Sequence, residues 1–280
     1  MSEKMLTFKY CDELVQEFEE VIKNPIKRPS SVYYTGVDLG TACVVLAVLD
    51  ENYKPVAGAF QYADVVRDGM VVDYIGAINI VRNLKNQLEE KLDTELIYAA
   101  AAIPPGTDEL DSGAIMNVVQ AAGFELTNVL DEPTAANEVL KIENGAIVDI
   151  GGGTTGISIL KNGKVIYVAD EPTGGTHFSL VVSGAYKMSF SDAETFKRDT
   201  KNHKEVLPVV KPVVEKISSI IKQHIKDYDV QEISLVGGTC CLSGLEKIIE
   251  KQTGVFTHKP QNPMFVTPLG IALGCTQESI

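Results

Sequence analysis

The sequence predicts an α/β fold made of two related domains. Three observations lead to this prediction: one strand-turn-strand motif occurs twice, strands alternate with helices in both halves, and 280 residues suit two domains of ordinary size. Apolar residues make up 45% of the chain and charged residues 22%, which is typical of globular proteins. Each domain is therefore expected to have its own hydrophobic core.

The repeated motif is an apolar run that ends in aspartate and continues into glycine and threonine. The two copies are Val37-Asp38-Leu39-Gly40-Thr41 and Val148-Asp149-Ile150-Gly151-Gly152-Gly153-Thr154-Thr155. A second apolar run follows each copy, so the pattern predicts two β-hairpins. A turn rich in glycine exposes backbone N–H groups and admits a phosphate. Two such turns, each with a carboxylate, predict one triphosphate held in a cleft between two domains.

Residues 1–31 are predicted to form a helical extension and a linker. The apolar positions from Leu14 to Ile22 fall on one face of an acidic helix, which ends at Asn24-Pro25. Two interpretations are open, namely a helix packed on its own domain and a segment that docks a partner. The first is favoured, because an exposed apolar stripe of this size would promote aggregation.

The remaining elements repeat one order in both halves. After the first hairpin, the pattern predicts a helix from Gly76 to Leu92, a strand over 96–103 and a helix over 112–122. The second half has a hairpin over 147–169, helical stretches up to Tyr228 and a strand over 232–236. The repetition predicts a duplication. Domain I is assigned to residues 32–146 with a C-terminal helix over 268–280, and domain II to residues 147–267.

Three further patterns mark candidate site residues. Asp38 and Asp149 precede glycine turns, where a carboxylate could hold Mg²⁺ through water or position an attacking water. Glu132 lies at the start of a predicted helix, for which an ordinary acidic helix start is the alternative explanation. Gly237-Gly238 follows a buried strand and would let an adenine or ribose lie against the main chain.

Composition limits the partners and the compartment. A net charge of −13 argues against nucleic acid as the main partner, because phosphate backbones are bound by fields of lysine and arginine. No apolar run approaches the roughly 20 residues of a membrane helix, so no membrane partner is expected. The acidic N-terminus resembles no signal peptide, which predicts a cytoplasmic protein. The five cysteines lack metal-binding spacing and are interpreted as reduced thiols.

Taken in order, the motifs resemble the nucleotide-binding core of the actin, sugar kinase and heat-shock 70 superfamily. The matching segments are residues 38–41, 132–136, 149–155, 237–238 and 268–272. Within this superfamily, the chain most resembles the chaperone-like EutJ family of ethanolamine utilization. That resemblance depends on residues 63–69, 104–108, 129–135 and 148–156.

The resemblance implies two ribonuclease-H-like, actin-like ATPase domains that use ATP and Mg²⁺. It implies catalytic roles for Asp38, Glu132 and Asp149, with Asp38 and Asp149 at the metal. It also implies a set of nucleotide-binding residues, which are Gly40, Thr41, Gly151, Gly152, Gly153, Thr154, Thr155, Gly237 and Gly238. The expected setting is a bacterial pathway of ethanolamine breakdown, often organised around a microcompartment.

Two departures from the larger relatives predict slow hydrolysis. Gly156 and Ala42 stand where those relatives have polar groups near the phosphates. The favoured function is an ATP- and ADP-binding, chaperone-like protein, a possible slow ATPase, that acts on an ethanolamine-pathway enzyme or a microcompartment protein. The alternative is an actin-like scaffold whose assembly depends on nucleotide, with little or no turnover. A sugar or acetate kinase is least favoured, because the short insertions between the motifs supply few residues to line a pocket for the phosphate acceptor.

Overall fold

The computed structural model describes the backbone of residues 3–67, 69–104 and 109–277. Its helices are α1 Glu3–Lys23, α2 Tyr74–Leu92, α3 Glu109–Ala121, α4 Glu132–Leu140, α5 Gly175–Tyr186, α6 Phe190–Arg198, α7 His203–Ile225, α8 Leu245–Thr253 and α9 Val266–Leu273. Its strands are β1 Tyr34–Leu39, β2 Cys43–Leu49, β3 Pro55–Tyr62, β4 Val66–Arg67, β5 Met70–Val71, β6 Tyr98–Ile103, β7 Glu125–Asp131, β8 Gly145–Ile150, β9 Thr155–Lys161, β10 Lys164–Glu171, β11 Glu232–Val236 and β12 Phe256–His258.

The chain divides into two compact units with the same sheet topology. The first unit comprises Met1–Lys141 and Pro260–Ile280, and the second comprises Ile142–Lys259. The first sheet has the order β3-β2-β1-β6-β7 and the second has the order β10-β9-β8-β11-β12. In each sheet the first three strands are antiparallel neighbours and the last three are parallel neighbours. The prediction of a duplicated α/β fold is confirmed.

Helix α1 packs on β3 of the first unit through its apolar stripe. The buried members of the stripe are Cys11, Leu14, Val15, Phe18 and Val21. The ring of Phe18 meets that of Phe265 edge to face, with centroids 5.3 Å apart. The structure therefore agrees with the interpretation that the helix packs on its own domain.

Helices α4 and α9 meet at an unusually close backbone approach in the first unit. A Cβ atom built on Gly270 would lie 1.7 Å from the carbonyl oxygen of Ala135, so no larger residue fits there without a shift of backbone. The small residues at 135 and 136 allow this approach. The last three residues of the helix predicted over 268–280 lie outside the described residues.

The core of the second unit lies between its sheet and helices α5, α7 and α8. Helix α7 contributes one apolar face, whose fully buried members are Val206, Val210, Val214, Ile217 and Ile221. In the part of the chain that the structure describes, no helix combines the length and the apolarity needed to cross a membrane.

Several element boundaries differ from the sequence predictions. Helix α3 begins at Glu109, three residues before the predicted start, and the C-terminal helix predicted over 268–280 spans Val266–Leu273. Helix α2 begins at Tyr74, two residues before the predicted start, because the Asp73 carboxylate caps it by accepting the Gly76 N–H at 2.9 Å. The predicted strand at 96–103 begins at Tyr98. Between β3 and α2, strands β4 and β5 pair as a small antiparallel ribbon. Asp68, between these two strands in the sequence, lies outside the described residues.

Candidate functional site

The second phosphate motif forms the turn between β8 and β9. Asp149 is paired with Gly156 and Ile150 with Thr155, so Asp149 lies at the carboxyl end of β8. The Gly151 N–H donates to the Thr154 carbonyl at 3.0 Å and closes the turn. The hairpin predicted for this motif is therefore present, and residues 151–154 form its connection. All four of these residues are half-buried, so the turn borders the surface.

Backbone N–H groups at the start of helix α5 donate hydrogen bonds to the carbonyl groups of this turn. The Gly151 carbonyl accepts the Gly175 N–H at 2.9 Å, and the Gly152 carbonyl accepts the Thr176 N–H at 2.8 Å. In a trans peptide the N–H points away from the preceding carbonyl, so the N–H groups of Gly152 and Gly153 point away from α5. Neighbouring N–H groups that point the same way are the kind of donors that bind anionic groups in other proteins.

The Gly237-Gly238 motif lies beside the same turn, at the carboxyl end of β11. Gly237 has φ +89°, and a Cβ atom there would lie 2.2 Å from Asp149 Oδ1. The Thr239 hydroxyl donates to the Gly151 carbonyl at 2.7 Å. Gly238 differs from Gly237, because a Cβ atom added to it meets no described atom within 4 Å. The structure therefore brings together the two glycine motifs that the sequence placed 88 residues apart.

A buried charged cluster next to this turn was missed by the sequence analysis. The Lys197 ammonium donates to the Gly175 carbonyl at 2.9 Å, to Ser179 Oγ at 2.7 Å and to Glu194 Oε1 at 2.7 Å. Burial lowers the pKa of Lys197, and Glu194 offsets part of that effect. Burial raises the pKa of Glu194, but Lys197, Ser179 and Arg198 together outweigh burial and hold this pKa below its usual value. The signal was an i,i+3 pair of opposite charges on a short helix.

Asp170 is the second residue near the motif that the sequence did not indicate. Gly156 is paired with Asp149 on one side and with Asp170 on the other, so the three residues form one row across the sheet. A Cβ atom built on Gly156 would lie 3.9 Å from Asp149 Cβ and 4.0 Å from Asp170 Oδ1. The Asp170 carboxylate thus approaches the space left by the absent side chain at position 156.

The Thr155 side chain faces the core of the second unit. Thr155 is fully buried, and its hydroxyl donates to the Thr173 carbonyl at 2.5 Å. Its side chain has the orientation of the core residues Ile157 and Ile159, because alternate residues of a strand face the same side. The Thr155 hydroxyl therefore joins β9 to the segment before α5.

The first phosphate motif has the same position in the first unit. Asp38 precedes the last residue of β1, and Gly40 and Thr41 follow in the connection to β2. Glu132 begins helix α4 directly after β7, where Asp131 caps the helix by accepting the Thr134 N–H at 2.9 Å. Strand β6 separates β1 from β7, so Asp38 and Glu132 are two strand spacings apart, roughly 10 Å. Both lie at the carboxyl edge of the first sheet.

The carboxylates of Asp38 and Asp149 are chemically suitable ligands for Mg²⁺. Magnesium prefers oxygen ligands, keeps several waters and is commonly held by one or two carboxylates with substrate phosphates. Asp38 and Asp149 are half-buried at the carboxyl ends of their strands. Among the described residues there is no group of three or more His, Cys, Asp or Glu side chains that could hold a metal. Each of the two carboxylates, taken by itself, is thus of the type that holds Mg²⁺ together with phosphates.

Comparison with known proteins identifies both close and distant relatives. The sequence profile of the type IV pilus assembly protein PilM family matches residues 116–265. The ethanolamine utilization protein EutJ of Salmonella typhimurium is 46% identical over 240 residues, which span 85% of this chain and 84% of that protein. A crystal structure of the ethanolamine utilization protein EutJ from Carboxydothermus hydrogenoformans has TM-score 0.88 and 48% identity, and covers 97% of this chain and 99% of that chain.

A more distant structure shows the fold. MreB 5 of Spiroplasma citri, bound to AMPPNP, has TM-score 0.69 at 17% identity and covers 88% of this chain and 96% of that chain. The duplicated sheets are thus those of a two-domain actin-like fold. The high identity over most of the chain makes the assignment more specific. The chain belongs to the ethanolamine utilization protein EutJ family and has the actin-like ATPase fold.

Proposed function

We propose that this protein binds ATP with Mg²⁺, hydrolyses it slowly and acts as a chaperone-like factor in ethanolamine utilization. The observation that supports nucleotide binding most directly is the turn at residues 151–154. Because α5 takes the carbonyls of Gly151 and Gly152, the N–H groups of Gly152 and Gly153 are directed away from the helix, where they can donate to a phosphate. MreB 5 was solved with AMPPNP, which supports the same ligand class.

In this proposal both phosphate motifs take part in nucleotide binding. Gly40, Thr41 and the turn at residues 151–154 contact phosphates, and Gly237-Gly238 contacts the adenosine. Asp38 and Asp149 would hold Mg²⁺, and Glu132 would position the attacking water. When bound, Mg²⁺ would neutralise charge on the phosphates. The expected turnover is well below the enzymatic median of about 10 s⁻¹, because Gly156 and Ala42 supply no polar side chain.

The chaperone-like role is proposed from the resemblance of the chain to the EutJ family. A core of two actin-like units converts contacts to the γ-phosphate into a changed surface, through which a partner can be bound or released. The proposed partner is an ethanolamine-pathway enzyme or a microcompartment protein. The role is tested by measuring reactivation of a denatured pathway enzyme by this protein with ATP, with ADP and without nucleotide. Equal reactivation in all three conditions would exclude a nucleotide-dependent role.

Nucleotide binding is tested by calorimetry on Gly238→Val. The added side chain has open space in the protein, so the fold should survive while the adenosine is blocked, and ATP affinity should fall at least tenfold. Gly184→Val is the matched control, because Gly184 on α5 also has open space around its Cβ position. Equal affinity of the wild type and Gly238→Val would exclude this adenosine site.

The catalytic assignment is tested separately on Asp149. Asp149→Asn keeps the shape of the side chain beside Gly237 and removes its charge, so turnover should fall by about 10²-fold or more. Phosphate release in single-turnover experiments measures this effect. A variant with wild-type turnover would place the chemistry elsewhere, whether or not ATP binding itself is retained.

A further inference from the structure

The carbonyl group of Gly151 accepts two hydrogen bonds at the start of the glycine turn. The Gly175 N–H donates to it at 2.9 Å, and the Thr239 hydroxyl donates to it at 2.7 Å. A carbonyl oxygen has two lone pairs, so these two donors complete its hydrogen bonding. One donor lies at the start of α5 and the other follows β11, so two separate segments of the chain fix the same group.

The peptide group between Gly151 and Gly152 depends on these hydrogen bonds for its orientation. Neither residue has a Cβ atom, so this peptide group can rotate by half a turn at little steric cost. In a planar trans peptide, such a rotation exchanges the directions of the Gly151 carbonyl and the Gly152 N–H. The rotated form would present a carbonyl oxygen to an anion, whereas the observed form presents a donor. The two hydrogen bonds to Gly151 therefore oppose the rotation and favour the form that can bind an anion.

The backbone before and at the start of α5 covers the carbonyl side of the turn. A Cβ atom built on Gly174 would lie 2.8 Å from the carbonyl carbon of Gly153 and 2.9 Å from the Gly151 and Gly152 oxygens. The Gly152 carbonyl also accepts the Thr176 N–H at 2.8 Å. The turn therefore cannot move closer to α5, and its alignment depends on the direction of its carbonyl groups.

The Thr239 hydroxyl has room beside the turn because residue 175 has no side chain. A Cβ atom built on Gly175 would lie 2.3 Å from Thr239 Oγ1 and 3.4 Å from the Gly151 oxygen. Gly175 is buried at the start of α5, so a larger residue there would have to displace the hydroxyl from the carbonyl. The backbone at 175 and the side chain at 239 thus fit against each other around one acceptor.

We propose that Thr239 is a positioning residue for phosphate binding. Its hydroxyl holds the Gly151 carbonyl towards α5 and thereby keeps the Gly152 N–H directed at the phosphates. This inference rests on the proposed binding of ATP at residues 151–154. Thr239 directly follows Gly237-Gly238, so the segment proposed to contact the adenosine also orients the turn proposed to contact the phosphates. The adenosine and phosphate parts of one nucleotide are then recognised by one connected structure.

Replacing Thr239 with valine turns this attraction into a clash. Valine has the shape of threonine but carries a methyl group in place of the hydroxyl. Carbon and oxygen atoms normally stay at least about 3.3 Å apart, whereas the Thr239 hydroxyl lies 2.7 Å from the Gly151 oxygen. The carbonyl must therefore turn away from the new methyl group, which favours the rotated peptide. Thr239→Ser keeps a hydroxyl at this position and should keep the orientation of the turn.

Calorimetry of the full chain with ATP and with adenosine tests the proposal. Thr239→Val should lower the affinity for ATP about tenfold, the effect of losing one hydrogen bond. Adenosine has no phosphate and should bind this variant as it binds the wild type. Thr239→Ser should retain the wild-type affinity for ATP. Thr253→Val is the matched control, because the half-buried Thr253 at the end of α8 also donates its hydroxyl to a carbonyl, that of Ile249 at 2.8 Å.

Amide hydrogen exchange without nucleotide, followed by NMR, is the second measurement. The Gly175 N–H should exchange faster in Thr239→Val than in the wild type and in Thr239→Ser, because its acceptor turns away. Equal exchange in all three proteins, or an equal loss of ATP and adenosine affinity in Thr239→Val, would overturn the proposal. A wild type that binds no ATP would overturn the proposed function as well, whereas ATP binding that Thr239→Val leaves unchanged would overturn only the role of Thr239.

Discussion

Replacing Phe18 with alanine tests whether helix α1 belongs to the core of the first unit. Phe18 is fully buried, meets Phe265 edge to face at 5.3 Å and lies over Gly58 of β3. Its removal leaves a cavity between the helix and the sheet, because the neighbouring backbone cannot collapse completely onto it. Phe to Ala changes in such sites cost about 3–5 kcal/mol, and for a protein of this size that lowers Tm by roughly 6–20 °C.

The strand side of the contact supplies a second variant. A Cβ atom on Gly58 would lie 2.4 Å from Cε2 of Phe18, so Gly58→Ala must displace the ring or the helix. In a Phe18→Ala background the clash with the ring is absent and only the 2.8 Å approach to Ile22 Cγ1 remains, so the two changes should be non-additive. Removing the whole helix eliminates five buried side chains at about 1.5–3 kcal/mol each, which is comparable with the total stability of an ordinary domain.

Urea unfolding followed by circular dichroism measures these effects, with Tyr10→Ala as the control. Tyr10 is on the same helix but is 43% exposed, so its replacement should change the free energy of unfolding by less than about 1 kcal/mol. If deletion of residues 1–24 left the unfolding free energy unchanged and abolished binding of a pathway protein, α1 would be a docking segment. The same conclusion would follow from a Phe18→Ala variant as stable as Tyr10→Ala.

Three further predictions concern the site and its supporting structure. Gly156→Asp should increase the Mg²⁺ dependence of phosphate release. The effect should be larger in an Asp170→Asn background, because the Cβ atom of the new aspartate lies 4.0 Å from Asp170 Oδ1 and the two carboxylates repel each other in the single variant. Equal effects in both backgrounds would contradict this reasoning. Thr35 Oγ1 is buried without a hydrogen-bond partner in the described structure, so Thr35→Val should raise the free energy of unfolding in urea by about 1 kcal/mol. Thr127→Val is the control: it loses a hydrogen bond to the Ala99 carbonyl and should lower the free energy of unfolding. Burial, and to a smaller extent the charge of Lys259, lowers the pKa of His203 from 6.5. The stability that the neutral imidazole contributes should therefore be lost as the pH falls from 6.5 through the lowered pKa. His203→Gln should flatten this pH dependence of the unfolding free energy, and an unchanged slope would show that His203 does not cause it.

Local patterns predicted most elements of the fold. The hairpins were predictable because an aspartate followed by glycine and threonine interrupts two apolar runs, and strand β11 begins and ends at the predicted residues 232 and 236. The start of α2 was missed by two residues, because a single hydrogen bond from Asp73 determines it. Thr155 could have been assigned to the core, since it alternates in phase with Ile157 and Ile159.

The parts of the candidate site that depend on distant residues were not predictable. Nothing local to Gly151 indicates that Gly175 and Thr239 will bind its carbonyl group. Asp170 lies opposite Gly156 only because β10 pairs with β9 in one register, and a shift by one residue would turn the carboxylate to the other face. Pairing register and helix placement thus determine those contacts, and neither is a property of a short segment.

The close approach of Gly270 to Ala135 has a consequence for biosynthesis. The second unit is one continuous stretch of chain, so all of its residues have been made before the segment that forms α9. Domains generally fold as units during translation. The first unit, although it is synthesised first, stays incomplete until α9 has been made and reaches α4. Nascent chains are therefore expected to acquire a protease-resistant second unit while α4 still exposes the surface that α9 later covers.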